Sequence, residues 1–133
     1  MEEKTPRQPA ILVVDDMDEI RALLRQLLRG WGYRVMTAEG GREAVSVALS
    51  EKPDIILMDI YMPGGDGLTA AQQIHTDART GDIPIVAISA YGDLGLDTDF
   101  RKQALSAGCT QYISKPIDID KLRGVVEEVL RKD

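Results

Sequence analysis

The chain has 133 residues, 44% hydrophobic and 29% charged, the balance of one soluble globular domain long enough to bury a core. Its formal net charge of −6 argues against direct nucleic-acid binding, because neutralising a phosphate backbone takes a basic surface. A single cysteine excludes an internal disulfide and no apolar run approaches the roughly 20 residues of a membrane span, so a cytoplasmic protein without membrane insertion is expected.

Residues 1–9 are polar, lack an apolar signal core and read as a short disordered lead, with one domain over 10–133. Ala10–Val14 is an apolar run suited to a strand buried on both faces, and it ends in Asp15-Asp16. Ile20, Leu23, Leu24, Leu27 and Leu28 then recur at helical spacing, with Arg21, Arg25 and Arg29 on the other side. Asp18 reads as the cap of that helix and Gly30 and Gly32 as its stop. Tyr33–Ala38 is a more polar strand, nearer a sheet edge, broken by Gly40-Gly41. Ala44, Val45, Ala48 and Leu49 line a second helix that ends before Pro53.

The next strand is Ile55–Met58, closed by Asp59 and followed by the chain-breaking Met62-Pro63-Gly64-Gly65. Leu68, Ala71 and Ile74, with Ala70 and Ala78 nearby, mark a third helix of weaker pattern. Ile83–Ile88 is a fourth strand, ending at Ser89-Ala90. A fourth helix is expected from about Asp97 to Ala107, stopped by Gly108. Gln111–Ser114 is the fifth strand, followed by Lys115-Pro116. Leu122, Val125, Val126, Val129 and Leu130 line the last helix, with Asp118 or Asp120 as its cap. Strict alternation of this kind predicts an α/β, doubly wound, five-stranded parallel sheet with five helices, flavodoxin-like, in the order 2-1-3-4-5. Its ligand crevice lies where the strand order reverses, between the first and third strands.

The residues ending the strands then gather on one edge. Three carboxylates, Asp15, Asp16 and Asp59, would repel one another without a cation, and their oxygens suit a hard ion such as Mg²⁺. Lys115 adds a compact positive charge and Ser89 a hydroxyl donor. The set suits phosphoryl transfer to Asp59, attacking in line while cations neutralise the equatorial oxygens.

Val13-Val-Asp-Asp16, the segment Leu57–Pro63 with Asp66-Gly67, Ser89-Ala90 and Tyr112–Pro116, in this order and each at a strand end, resemble a response-regulator receiver domain from about residue 10 to 131. The resemblance implies that Asp59 is the phosphoacceptor and that Asp15, Asp16, Asp59 and the backbone carbonyl of Tyr61 hold Mg²⁺. It implies that Ser89 is the switch hydroxyl, Tyr112 the aromatic that turns inward, and Lys115 the partner of the phosphoryl oxygens, with a cis bond before Pro116. The donor would be a phosphohistidine on a histidine kinase or histidine phosphotransfer protein. The output would be a downstream protein target, met by the surface of the fourth helix, fifth strand and fifth helix. Such a domain carries out its own phosphoryl transfer and hydrolysis but turns over no separate substrate. The Met1 start and polar lead favour a stand-alone receiver, with a receiver segment of a hybrid kinase or larger regulator as the alternative.

The stretch 91–100 is longer than usual in the family. Its two glycines, beside Leu94 and Leu96, suggest a mobile recognition element. Tyr61 and Tyr91, two residues past Asp59 and Ser89, suggest hindered water attack and slow self-dephosphorylation. His75 reads as a surface or packing residue and Cys109 as a small packing residue, while Trp31 admits either core capping or a partner contact. Asp93, Asp97 and Asp99 lack calcium-loop spacing and read as a solvated acidic surface. A Mg²⁺-dependent aspartyl phosphatase would carry a second Asp two residues after the nucleophile, where Tyr61 stands. A flavin carrier would need a hydroxyl- and glycine-rich phosphate loop where Asp15-Asp16 stand. A non-phosphorylated binding module would not need the intact acid set.

Overall fold

A computed structural model describes residues 8–60, 66–89 and 97–131. Five strands alternate with five helices: β1 (Ala10–Val14), α1 (Asp18–Gly30), β2 (Arg34–Ala38), α2 (Gly41–Glu51), β3 (Ile55–Asp59), α3 (Asp66–Thr76), β4 (Ile85–Ser89), α4 (Asp97–Ser106), β5 (Gln111–Ser114) and α5 (Ile119–Arg131). Every strand pair is parallel, in the order β2-β1-β3-β4-β5. β1, β3 and β4 are buried throughout, which is why their runs lack polar alternation, whereas β2 at the edge exposes Arg34.

Successive strand side chains point to opposite faces, so each strand feeds two core layers. Ile11, Val13, Ile55, Leu57, Val86, Ile88 and Ile113 pack with Leu24 and Leu28 of α1 and Leu122 and Val126 of α5. Leu12, Val14, Ile56, Met58, Ile85 and Ala87 pack on the other face. There, among the described residues, the helices supply Ala44, Ala48, Ala70, Ala71 and Ala104, with Ile74 as a larger buried side chain. A reciprocal pair of bonds aligns the entry to the sheet: the Asp54 N–H donates to the Ala10 carbonyl and the Ala10 N–H to Asp54 Oδ2, both at 2.7 Å.

Several boundaries depart from the sequence reading, each for a local reason. Asp18 is not the cap of α1: extended Met17 is, with no side-chain bond to the helix end. Asp18 lies in the first turn, where a carboxylate suits the positive end of the helix. Leu23, expected in the apolar stripe, is 50% exposed. Gly30 is the last helical residue, and Gly32, at φ +101°, makes the turn. The Gly32 N–H donates to the Arg29 carbonyl and the Tyr33 N–H to the Leu28 carbonyl, a closure that needs the left-handed conformation glycine adopts freely. β2 ends before Gly40-Gly41 as expected, and the two glycines also start the next element, Gly40 capping α2 and Gly41 opening it. β2 starts at Arg34 and β4 at Ile85. The Ile83 N–H is taken by the Thr80 carbonyl, and Pro84 has no N–H to give the ladder, though its carbonyl accepts from Ile56. Of the two candidate caps of α5, Asp118 takes the role, its Oδ1 accepting the Lys121 N–H at 3.1 Å.

Candidate functional site

The carboxyl ends of β1, β3, β4 and β5 converge on one edge because all strands run the same way. Asp15 follows β1, Asp59 ends β3, Ser89 ends β4 and Lys115 follows β5. Asp59 is in step with Ile55 and Leu57, on the α1/α5 face of the sheet. Asp15 and Lys115 meet it there. Lys115 Nζ lies 3.0 Å from Asp59 Oδ2 and 3.2 Å from Asp15 Oδ2, joining residues at the ends of three strands. Asp15 and Asp59 are almost wholly buried, while Asp16 is exposed at the rim. Burial works to lower the Lys115 ammonium, but the hydrogen bonds and charges of Asp59 and Asp15 outweigh it and hold the group above its ordinary range.

Ligand atoms of Asp15, Asp16 and Asp59 lie within 4.8 Å of one another. Two of these acids are buried and one is open to solvent, an all-oxygen donor set that fits a hard divalent cation keeping part of its water. The loop holds its own acids in place. Asp15 Oδ1 accepts the Met17 N–H at 2.9 Å, so the two Asp15 oxygens are divided between the loop backbone and Lys115.

Ser89 is fully buried and in step with Ala87, on the opposite, alanine-packed face. Tyr112 packs against that same layer and its hydroxyl is buried. The backbone couples the two sides, since the Lys115 N–H donates to the Ser89 carbonyl at 2.9 Å. The Lys115–Pro116 peptide bond is cis. Tyr61 and Tyr91 fall outside the described residues, as do the loop segment 90–96 and the first seven residues of the lead.

One residue of the site edge escaped the sequence reading. The helical pattern sets Arg21 with Arg25 and Arg29 on the outer side of α1, yet its side chain is only 13% exposed while those two are exposed. Its Nη1 donates to the Asp15 carbonyl at 2.7 Å, its Nη2 pairs with Asp18, and Glu39 lies 3.7 Å away. Its spacing from the Asp15-Asp16 pair, which puts it about one turn into the helix, is the only signal. His75, Cys109 and Trp31 each make packing contacts. The exposed His75 ring lies against Gly108, where an added Cβ would come within 2.2 Å of it. Burial pushes the Cys109 thiol up to about 11. Trp31 is half-buried beside the α1/α5 core, with the Arg123 guanidinium 5.1 Å from its ring centroid.

Known proteins share this sequence pattern and this fold. A family model described as the response regulator receiver domain matches residues 11–127. Protein PilH of Pseudomonas aeruginosa is 37% identical over 120 residues, covering 90% of this chain and 96% of PilH. A crystal structure of a putative response regulator from Chloroflexus aurantiacus superposes with a TM-score of 0.85 at 30% identity, covering 95% of this chain and all of the other. The receiver domain of a Pseudomonas aeruginosa sensor histidine kinase, solved with a magnesium ion coordinated in its active-site cleft, superposes with a TM-score of 0.82 at 30% identity, covering 93% of this chain and 98% of that one. Several other curated relatives are longer, and the chain spans between 23% and 52% of their length. Among the described residues no helix is long and apolar enough to cross a membrane.

Proposed function

The chain belongs to the response-regulator receiver family, and from that premise we propose that it accepts a phosphoryl group on Asp59 from a phosphohistidine of a histidine kinase or histidine phosphotransfer protein. The observation that carries the reading is the bridge from Lys115 Nζ to both Asp59 and Asp15 beside Asp16. Asp59 sits at a buried strand end, so its carboxylate is fixed by the sheet rather than by a loop. A P–O bond forms to this carboxylate as the donor's P–N bond breaks. Lys115 is already placed at Asp59, and its raised affinity for the proton keeps it cationic as charge gathers on the transferring oxygens. Asp15, Asp16 and Asp59, with the Tyr61 backbone carbonyl, would hold Mg²⁺, which when bound supplies a divalent charge against the phosphoryl oxygens.

The response follows from the pair on the other face. A phosphoryl group brings new negative charge and acceptor oxygens to the edge, and Ser89 is a buried hydroxyl at that edge. Movement of Ser89 toward it alters the layer into which Tyr112 packs, and with it the surface of α4, β5 and α5 offered to a downstream protein. In this role the domain is a signalling module that modifies itself once per signal and turns over no separate substrate.

The test is incubation with Mg²⁺ and a small-molecule phosphodonor, followed by intact-mass measurement. One phosphoryl group is expected on the wild type, and none on Asp59→Asn. No addition to the wild type, or undiminished addition to the variant, would sink the reading.

A further inference from the structure

Asp15, Asp16 and Asp59 gather where β1 and β3 end, with Asp18 in the first turn of α1 and Glu39 and Glu43 at the β2–α2 loop. Two cationic side chains make contacts with them among the described residues, and the two do different things. Lys115 touches the carboxylates of Asp15 and Asp59 themselves. Arg21 touches no carboxylate of that pair. It grips the backbone that carries Asp15, through the 2.7 Å bond from Nη1 to the Asp15 carbonyl. Its second nitrogen is held by Asp18 on its own helix and lies near Glu39 of the neighbouring loop. The planar fork therefore ties the β1–α1 loop to the first turn of α1 and faces the β2–α2 loop. Its stem is mostly buried, which limits the rotamers open to it.

We infer that Arg21 is a positioning residue for the cation site: it fixes the direction in which Asp15 and Asp16 present their oxygens, acting through the Asp15 carbonyl. The inference rests on the reading of Asp15, Asp16 and Asp59 as Mg²⁺ ligands. It makes a prediction opposite in sign to that of charge alone. A positive group close to a cation site repels the cation, so removing it should tighten Mg²⁺ binding if charge were its only effect. Removing a group that orients ligands weakens binding, by about 10-fold at the lower end of the range for such partners.

The experiment is Mg²⁺ titration by calorimetry at fixed ionic strength, with no phosphodonor, on wild type, Arg21→Met and Arg21→Lys. Arg21→Met keeps an apolar stem and loses both donors and charge. Its Mg²⁺ dissociation constant is expected to rise about 10-fold while its melting temperature stays close to wild type. Affinity equal to or tighter than wild type overturns the inference. Arg21→Lys keeps the charge and loses the fork, so it decides the question even where Arg21→Met does not fold. Weaker Mg²⁺ binding than wild type is expected, and equal binding overturns the inference. Wild type that binds Mg²⁺ and takes a phosphoryl group while both variants bind Mg²⁺ unchanged removes only the role of Arg21. Wild type that binds no Mg²⁺ removes the role and the ligand assignment together.

Discussion

The two faces of the sheet are packed by different means. On the α1/α5 side, Leu24, Leu28, Leu122 and Val126 interdigitate with isoleucines, leucines and valines of the strands. On the α2/α3/α4 side the buried helix residues, among those described, are alanines and Ile74, with Val45, Val47 and Leu68 partly buried against them. Each further buried methylene contributes about 0.8 kcal/mol, so a leucine-packed helix is held far more firmly per residue than an alanine-packed one. Alanine instead lets helix backbones come close, and its small volume leaves little side-chain interlock to resist sliding. The chemistry divides along the same line. Asp59, Asp15 and Lys115 meet on the firmly packed face, while Ser89 and Tyr112 belong to the alanine-packed one. A charge site that must hold its geometry is thus built on the stiff layer, and the proposed response on the layer with less to undo.

Experiments can break or sharpen that contrast. The largest effect is expected from Leu122→Ala, a fully buried side chain of α5, which should cost about 2–5 kcal/mol in a denaturant titration. A cost below that of typical surface changes would show the α1/α5 face to be no stiffer than its counterpart. Gly67→Ala comes next, because its Cβ would stand 2.5 Å from the Ile60 Cα and 2.6 Å from the Asp59 carbonyl oxygen. Backbone must give way, so we expect about 1–3 kcal/mol of lost stability. Phosphoryl uptake measured by intact mass should also fall, since the strand end bearing Asp59 moves. Ala71→Leu, overfilling the alanine layer, should cost a similar 1–3 kcal/mol and perturb the amide resonances of Tyr112 more than those of Leu57.

Smaller effects test the periphery. Gly124 lies inside α5 on its exposed side with nothing within 4 Å of an added Cβ. Gly124→Ala should stabilise by about 0.5–1 kcal/mol, read as a higher denaturant midpoint with unchanged slope. Cys109, in the alanine layer, gives a pH signature. Its folded thiol value, about 11, stands above its ordinary 9.0, so its contribution to stability is fully present below 9 and is lost as the pH rises from 9 toward 11. A thiol reagent at pH 8 should therefore label it only as fast as the chain opens.

Much of this was legible in the sequence, and the failures share a cause. Strands buried on both faces announce themselves as unbroken apolar runs, and a parallel sheet sends every run's last residue to one edge. Asp15, Asp59, Ser89 and Lys115 were therefore readable from strand ends alone. α1 and α5 were readable because large apolar residues mark a helical stripe, whereas α3, held by alanines, left a weak one. Contacts made by or to the backbone leave no such mark. Asp18 looked like a cap because nothing in its residue type reveals that Met17 takes that place. Ile83 looked like strand because its turn bond to Thr80 is made by backbone. Arg21 looked like a solvent-facing arginine because its partner is a carbonyl.

Trp31 gives the contrast an optical consequence. It is the only tryptophan in the chain, and it sits on the leucine-packed side under the Arg123 guanidinium. Intrinsic indole emission therefore views one face of the sheet. A denaturation curve followed by that emission reports α5 leaving α1, and loosening confined to the alanine-packed side would pass beneath it unseen. Agreement between that curve and one from a probe at Cys109 would mean the two layers melt as one unit.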